Sequence, residues 1–190
     1  MTVLHRERVL RAATNSFLAH GYRSSVDEIA RRARVAKQTV YQHFTSKDEL
    51  FKEVARELAA RVFSELESSS KDLRSGLLRF GLAYRHRTLG AEGIGAFRTL
   101  VPEVPRFKAL ARTMYASSAG EMVRRLAERI AAAMDAGELR RDDPRFAAEM
   151  LLSMLAGIDR IKRLFAVNDA EDEATRTARI VDTFLRAYAK

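Results

Sequence analysis

The residues best suited to chemistry lie in the stretch K-Q-T-V-Y-Q-H-F, from Lys37 to Phe44. Val40 and Phe44 are four apart, so on a helix they share one face and are expected to be buried together. At about 100° per residue, Gln38 and Gln42 then point almost directly away from that face. Thr39 also points outward, and Tyr41 and His43 take the two flanks. A Gln amide can bridge N6 and N7 of adenine, and a Thr can meet a thymine methyl. The row therefore suits base edges and phosphates. An ordinary solvated polar face would usually carry a carboxylate, and none occurs from Ala30 to Thr45.

Other chemistries lack the residues they need. Cysteine is absent, which removes disulfides, thiolate catalysis and cysteine-based zinc sites together. The histidines His5, His20, His43 and His86 have no ligand spacing between them, so neither a metal site nor a cofactor is expected. Ser, His and Asp occur without a nucleophile elbow, a Gly-rich phosphate loop or metal-ligand spacing. The paired Asp142 and Asp143 stand beside Pro144 at a helix start, where capping accounts for them. No catalytic residue is assigned, and the chain is not expected to be an enzyme.

Charge points the same way as the outward row. The 190 residues carry a net charge of +9, and residues 1–47 hold nine Lys/Arg against three Asp/Glu, a surplus of six. Positive charge concentrated in one quarter of a chain is what a polyanion-binding surface requires, although a solvated basic face has the same composition. Apolar residues make up 47% and charged residues 31%, the balance of a globular protein rather than a disordered one. No run of about 18 apolar residues is present to span a membrane. The opening M-T-V-L-H-R-E-R-V-L-R mixes charges through its apolar positions and lacks the apolar block of a signal peptide. A cytoplasmic location is expected.

The outward row must be held by helices, because helical periodicity dominates and strand-length alternation is missing. A first helix from about Leu4 to Ala19 places Leu10, Ala13 and Phe17 on one stripe, and Gly21 stands where a C-terminal cap belongs. Ser25 followed by Glu28 reads as a capping box that opens a second helix. Ile29, Ala30 and Ala33 give this helix a small inward face that lets a neighbour approach closely. Arg34-Val35 forms the turn, with Val35 as an apolar plug; a positive φ at Arg34 would cost about 1 kcal/mol. The third helix carries the Lys37–Phe44 row. Ser46 and Glu49 form a second capping box, and Leu50, Phe51 and Val54 begin the stripe of a long fourth helix. Lys47 at that helix start opposes the macrodipole, and contact with a phosphate would account for it.

The pattern S-V-D-E-I-A-x-x-A-x-V-A-K-Q-T-V-Y-Q-H-F-x-S-K-D-E-L resembles the DNA-binding module of TetR-family transcriptional regulators. The likeness covers about the first 63 residues and includes the first helix stripe, the Gly21-Tyr22 exit, Tyr41, Phe44 and Lys47. It implies major-groove contact from Lys37, Gln38 and Thr39, with Gln42 on the same outward row. It further implies that Tyr41, His43 and Lys47 grip phosphates and that Ser25 and Val26 approach the backbone. Two positions depart from the commonest pattern: Arg34 replaces Gly, and Ala36 replaces Ser at the third helix N-cap, removing a capping oxygen worth about 1 kcal/mol.

Beyond the module the sequence predicts helices at about 72–90, 91–101, 107–116, 118–136, 144–165 and 171–189. In the fifth, Leu73, Leu77, Phe80 (or Leu78) and Tyr84 point inward, followed by Arg85, His86 and Arg87. Arg85, His86 and Arg98 are read as surface charges, with a polar handle for an anionic group as the alternative. The helix from Pro144 has no charge between Glu149 and Asp159 and should be buried on more than one side. With the last helix it forms an expected self-association surface of Leu151, Leu155, Ile158, Val181, Phe184, Leu185 and Tyr188; in the TetR family a four-helix bundle from two subunits occupies this place. A large monomer core is the alternative reading. Phe80, Tyr84, Phe97, Phe107, Met114, Tyr115, Met122 and Met154 are candidate walls of a ligand pocket, since Met and aromatic side chains suit adaptable apolar recognition. The stretch F-R-T-L-V-P-E-V-P-R-F resembles one branch of the family whose members often control efflux or responses to lipophilic compounds.

The expected architecture is all-α. An N-terminal three-helix helix-turn-helix module (residues 3–63, recognition motif 25–44) is joined by a long fourth helix to a helical ligand-binding and dimerisation domain (64–190). The expected function is sequence-specific binding of duplex DNA by a homodimeric repressor, released from a palindromic operator by a small, largely apolar ligand. A DNA-binding dimer with no small-molecule ligand is the alternative. The expected partners are double-stranded DNA, a second copy and a small effector, with no membrane.

Overall fold

The computed structural model describes residues 2–67, 72–106, 108–167 and 171–190. Phe107, expected at a pocket wall, lies outside the described residues. Every regular element among them is helical: α1 Thr2–His20, α2 Val26–Ala33, α3 Lys37–His43, α4 Lys47–Glu67, α5 Leu73–Leu89, α6 Ala91–Leu100, α7 Lys108–Tyr115, α8 Glu121–Asp135, α9 Pro144–Leu164 and α10 Glu173–Ala187. Short 3-10 turns follow α1 and α6, and a π turn at Ala116–Gly120 links α7 to α8. No helix among the described residues is long and apolar enough to cross a membrane.

The chain divides into two compact units. The first is built from residues 1–58 and 95–118, the second from 59–94 and 119–190. In the first unit, Val9, Ala13 and Phe17 of α1 meet Ile29, Ala30 and Ala33 of α2, with Val40, Phe44, Leu50, Phe51 and Val54 closing the core. The two alanines of α2 let the helices approach closely, as their spacing predicted. Leu100 and Met114 pack on the same core. Gly21 turns the chain out of α1 at φ +59, and a Cβ there would come within 2.6 Å of Thr99 Cγ2. Both the conformation and the space require glycine at this corner.

Besides Gly21 after α1, three helices among the described residues end at a left-handed residue, and only one of these three is a glycine. Arg34 (φ 53) follows α2, Gly137 (φ 74) follows α8 and Ala166 (φ 56) follows α9. After each, a backbone N–H reaches back to the helix: Val35 to Ala30 at 3.1 Å, Glu138 to Ala133 at 2.9 Å and Val167 to Lys162 at 2.9 Å. These bonds satisfy carbonyls that a helix end leaves open. At α2, Arg8 adds a clamp, donating from Nη2 to the carbonyls of Ala33 at 2.6 Å and Arg34 at 3.1 Å.

The second unit packs Leu77 and Phe80 of α5, Leu126 and Ile130 of α8, Leu151 and Leu155 of α9, and Val181 and Phe184 of α10 into one core. Asp143 caps α9, accepting from the amides of Arg145 at 2.8 Å and Phe146 at 3.3 Å, with Pro144 in the first turn. Asp172 caps α10 by accepting from the Thr175 amide at 2.9 Å.

Arg85 corrects the sequence reading. Instead of lying on the surface it is 2% exposed, donating to the Leu155 carbonyl at 2.6 Å, to Asp159 at 2.7 Å and to Glu173 at 3.2 Å. His86 and Arg98 do face outward. A guanidinium presents five donors in a planar fork, and α9 and α10 supply three acceptors, two of them carboxylates, to its Nε and Nη1, which makes its burial tolerable.

Candidate nucleic-acid interface

The outward row is presented by a capped α2, the Val35 plug and the buried side of α3. Ser25 Oγ accepts from the Glu28 amide at 3.0 Å and starts α2. The return half of the expected capping box is absent: the Glu28 carboxylate binds Arg31 Nη2 at 2.5 Å and Arg32 Nε at 2.6 Å instead. These two arginines hold the Glu28 carboxyl below its ordinary range. Ala36 stands at the start of α3 with no side-chain cap, so α3 is fixed by burial of Val40 and Phe44 rather than by capping. Val35 packs partly buried against the core beneath the turn.

With Val40 and Phe44 inward, Lys37, Gln38, Tyr41 and Gln42 are exposed, while Thr39 and His43 are half-buried. No carboxylate belongs to the row. One lies beside it: Asp27 Oδ2 is 2.9 Å from Lys37 Nζ and raises the Lys37 ammonium above its ordinary value by hydrogen bonding and charge. Lys37 must leave Asp27 to reach a groove. The exposed pair resists this only weakly.

Ser25 is exposed, whereas Val26 is buried in the core. What Val26 can offer a phosphate is its backbone N–H in the first turn of α2, not its side chain. At the start of α4, Ser46 Oγ accepts from the Glu49 amide at 3.1 Å, and the Glu49 carboxylate accepts from the Thr45 amide at 2.6 Å. Lys47 lies half-buried there with its ammonium 4.2 Å from the centre of the Tyr22 ring. Tyr22 escaped the residue-type reading because an aromatic at a helix exit looks like core.

The candidate pocket residues divide between the units. Phe97, Met114 and Tyr115 fall in the first, and Phe80, Tyr84, Met122 and Met154 in the second. Phe80 and Tyr84 stack with ring centres 5.9 Å apart; Phe80 and Met122 are buried in the core, with Tyr84 and Met154 packed against it. Among the expected interface residues, Leu151, Leu155, Val181, Phe184 and Tyr188 already fill the subunit's own core and Leu185 packs against it, while Ile158 is 61% exposed. Five of these seven side chains are therefore occupied inside the subunit and have no face left for a second copy.

Two family-level sequence models match the chain. The N-terminal one, bacterial regulatory proteins of the tetR family, covers residues 9–54, and the AefR-like transcriptional repressor C-terminal domain covers residues 75–190. The chain belongs to the TetR family. It is thus a DNA-binding transcriptional regulator with an N-terminal helix-turn-helix and a helical C-terminal domain, in a family whose work is binding rather than catalysis. Its fold matches a TetR-family transcriptional regulator from Mesorhizobium loti at TM-score 0.81 and 26% identity, over 100% of this chain and 99% of the other. A flavonoid-responsive regulator is similar at TM-score 0.75 and 29% identity, over 97% of each chain. The A-factor receptor protein of Streptomyces griseus is 34% identical over 87 residues. That stretch is 45% of this chain and 32% of the relative, so the match spans about a third of the relative's length.

Proposed function

We propose that this regulator is a cytoplasmic homodimeric repressor, with two copies of α3 reading a palindromic operator, released when a small, largely apolar ligand binds. The observation that carries the reading is the α3 face itself. Gln38, Thr39 and Gln42 point outward with Lys37 and Tyr41, with no carboxylate in the row and Val40 and Phe44 anchoring it from behind. One copy offers too few base contacts for a unique genomic site, which makes a second copy part of the reading.

A face for that second copy is supported by α9. Opposite its core side it turns outward the apolar Phe146, Ile158, Ile161 and Phe165, with Met150 and Met154 half-buried between them. Phe165 is 77% exposed. An apolar face of this extent on a helix whose other face is already buried fits an isologous contact between copies. Ligand release is supported by the aromatic and Met content of α5, α8 and α9, and the flavonoid-responsive relative makes flat aromatic compounds the first class to try. A dimer without a ligand is the second reading, favoured by the enclosure of Phe80 and Met122 within a packed core.

Selection of bound sequences from a random duplex pool tests the proposal. The expected product is a palindrome whose half-sites lie about 34–36 Å apart, or a multiple of that. A site without two-fold symmetry would overturn the dimeric reading. Repeating the selection with Gln38→Ala should relax preference at one or two base pairs per half-site, and a uniform weakening would remove Gln38 from base readout.

A further inference from the structure

A column of aromatic rings runs from the core of the first unit to its surface. Phe17 of α1 meets Phe51 of α4 edge to face with ring centres 4.6 Å apart, and Phe51 meets Tyr22 at 5.4 Å and 82°. Tyr22 sits in the 3-10 turn after α1, half-buried against this core. Its ring carries the Lys47 ammonium, 4.2 Å from the ring centre. Its hydroxyl donates to Asp48 Oδ1, the residue after Lys47. One side chain thus holds both charges at the start of α4, the cation over its ring and the anion at its tip.

We infer that Tyr22 is a positioning residue for DNA binding: its ring seats the Lys47 ammonium for a backbone phosphate, while its hydroxyl keeps the Asp48 carboxylate from neutralising that ammonium. The inference deepens the phosphate grip assigned to Lys47 and rests on it. Lysine is a flexible point charge on four methylenes, and holding it in one place before the phosphate arrives saves ordering entropy on binding. A ring face does so without cancelling the charge, because the attraction is to the ring quadrupole. A carboxylate in the same place would hold Lys47 equally well and remove its use. Asp48 adjoins Lys47 in sequence and would compete with the phosphate if it were free. The hydroxyl bond directs it elsewhere, and burial together with Asp48 pushes the Tyr22 phenol up to about 12, so the donor proton stays in place at any physiological pH. Burial lowers the Lys47 ammonium from its ordinary value and outweighs the opposing effect of the nearby Asp48 charge, the mark of a cation drawn partly out of water.

The test uses the full chain, a mixed-sequence duplex as probe, and the slope of log affinity against log salt. Each lost phosphate contact lowers that slope by about 0.9 in magnitude. Lys47→Ala is expected to lower it by one such step for each bound copy, Tyr22→Leu by the same amount, and the double variant by no more than Lys47→Ala alone. Tyr22→Phe keeps the ring but frees Asp48, so its slope should also fall, and adding Asp48→Asn should restore it. This second pair changes only polar atoms and decides the question even if Tyr22→Leu fails to fold. Independently of DNA, the Lys47 Cε protons should show an upfield ring-current shift in the free protein, kept in Tyr22→Phe and lost in Tyr22→Leu. A slope unchanged by Lys47→Ala would overturn the phosphate grip and this inference with it. A fall for Lys47→Ala with none for Tyr22→Phe, or no restoration by Asp48→Asn, would overturn the role of Tyr22 alone.

Discussion

Arg85 Nη1 and Asp159 Oδ2 lie 2.7 Å apart with both side chains closed off from solvent. The pair joins α5 to α9, and α10 completes it: Arg176 grips the same carboxylate with Nε to Oδ2 at 2.6 Å and Nη2 to Oδ1 at 2.7 Å. Glu173, also on α10, lies 3.2 Å from Arg85 Nε. Three helices meet at one carboxylate, and α5 reaches it from 74 positions away along the chain. Buried charges of this kind add little stability while paired and cost a great deal when one partner is removed.

Asp159→Ala should therefore destabilise the protein by about 3–5 kcal/mol in urea unfolding, because buried Arg85 would keep only the partly exposed Glu173 as its anion and Arg176 would lose the carboxylate it grips. The pH dependence follows from the same contacts. Burial raises the Asp159 carboxyl, but hydrogen bonds from Arg176 and Arg85 outweigh it and hold the group below its ordinary value. A carboxyl with a lower pKa in the folded state stabilises fully above its unfolded value, near 4, and loses that contribution as pH falls through the folded value. The stability difference between wild type and Asp159→Asn should stay constant from neutral pH to about 5 and shrink below about 4. A difference that grew on acidification would contradict the assignment.

The three left-handed helix ends give a second set of outcomes. Ala166→Gly and Arg34→Gly should each raise stability by about 1 kcal/mol, since a Cβ is disfavoured at positive φ. Gly137→Ala should lower it by a similar amount. Thermal melting of the three variants checks the direction, and Arg34→Gly should also leave DNA affinity in place because the turn keeps its backbone path.

Ser16 is enclosed in the first unit, and its hydroxyl finds no partner among the described residues, although its carbonyl accepts from Ser24 Oγ at 2.8 Å. A buried hydroxyl without a hydrogen bond carries a desolvation cost of about 1–3 kcal/mol. Ser16→Ala is expected to be neutral or stabilising in chemical denaturation. A large loss would mean that the hydroxyl is used.

The outward face of α9 predicts a change of assembly. Ile161→Glu places a charge on that face without touching the subunit core, so light scattering should show the mass falling toward that of one chain at micromolar concentration, with the helical circular dichroism kept. Leu155→Ala should instead act inside the subunit and cost about 2–5 kcal/mol of stability. If Ile161→Glu left the mass unchanged, the face would have another use.

The helices were legible because their signals are local. Ser25, Ser46 and Pro144 mark starts, Gly21 marks an end, and the apolar spacing of α1 and α5 fixes which side turns inward. The outward row of α3 could be read for the same reason, since Val40 and Phe44 alone orient it. Arg85 could not be read so: its partners stand 70 to 88 positions away, and nothing in Tyr84-Arg85-His86 announces them. The apolar richness of α9 was legible, but its division was not. Periodicity counts apolar residues on both faces alike, and only packing shows that Leu151 and Leu155 are taken by the subunit while Phe146 and Ile161 are left outside.

The first unit also bears on how such a protein could be recombined. Leu100 and Met114 cover a core whose other members all lie between Val9 and Val54, and Thr99 fills the notch that Gly21 leaves. The reading head is consequently discontinuous along the gene. Transplanting residues 1–58 into a relative would bring Gly21 and the α1 core without the segment shaped to cover them, and the host's own segment would have to match by chance. A working chimera needs joins near 58/59, 94/95 and 118/119. Drift at Thr99 and drift at Gly21 are then a single evolutionary event, although nearly eighty codons separate them.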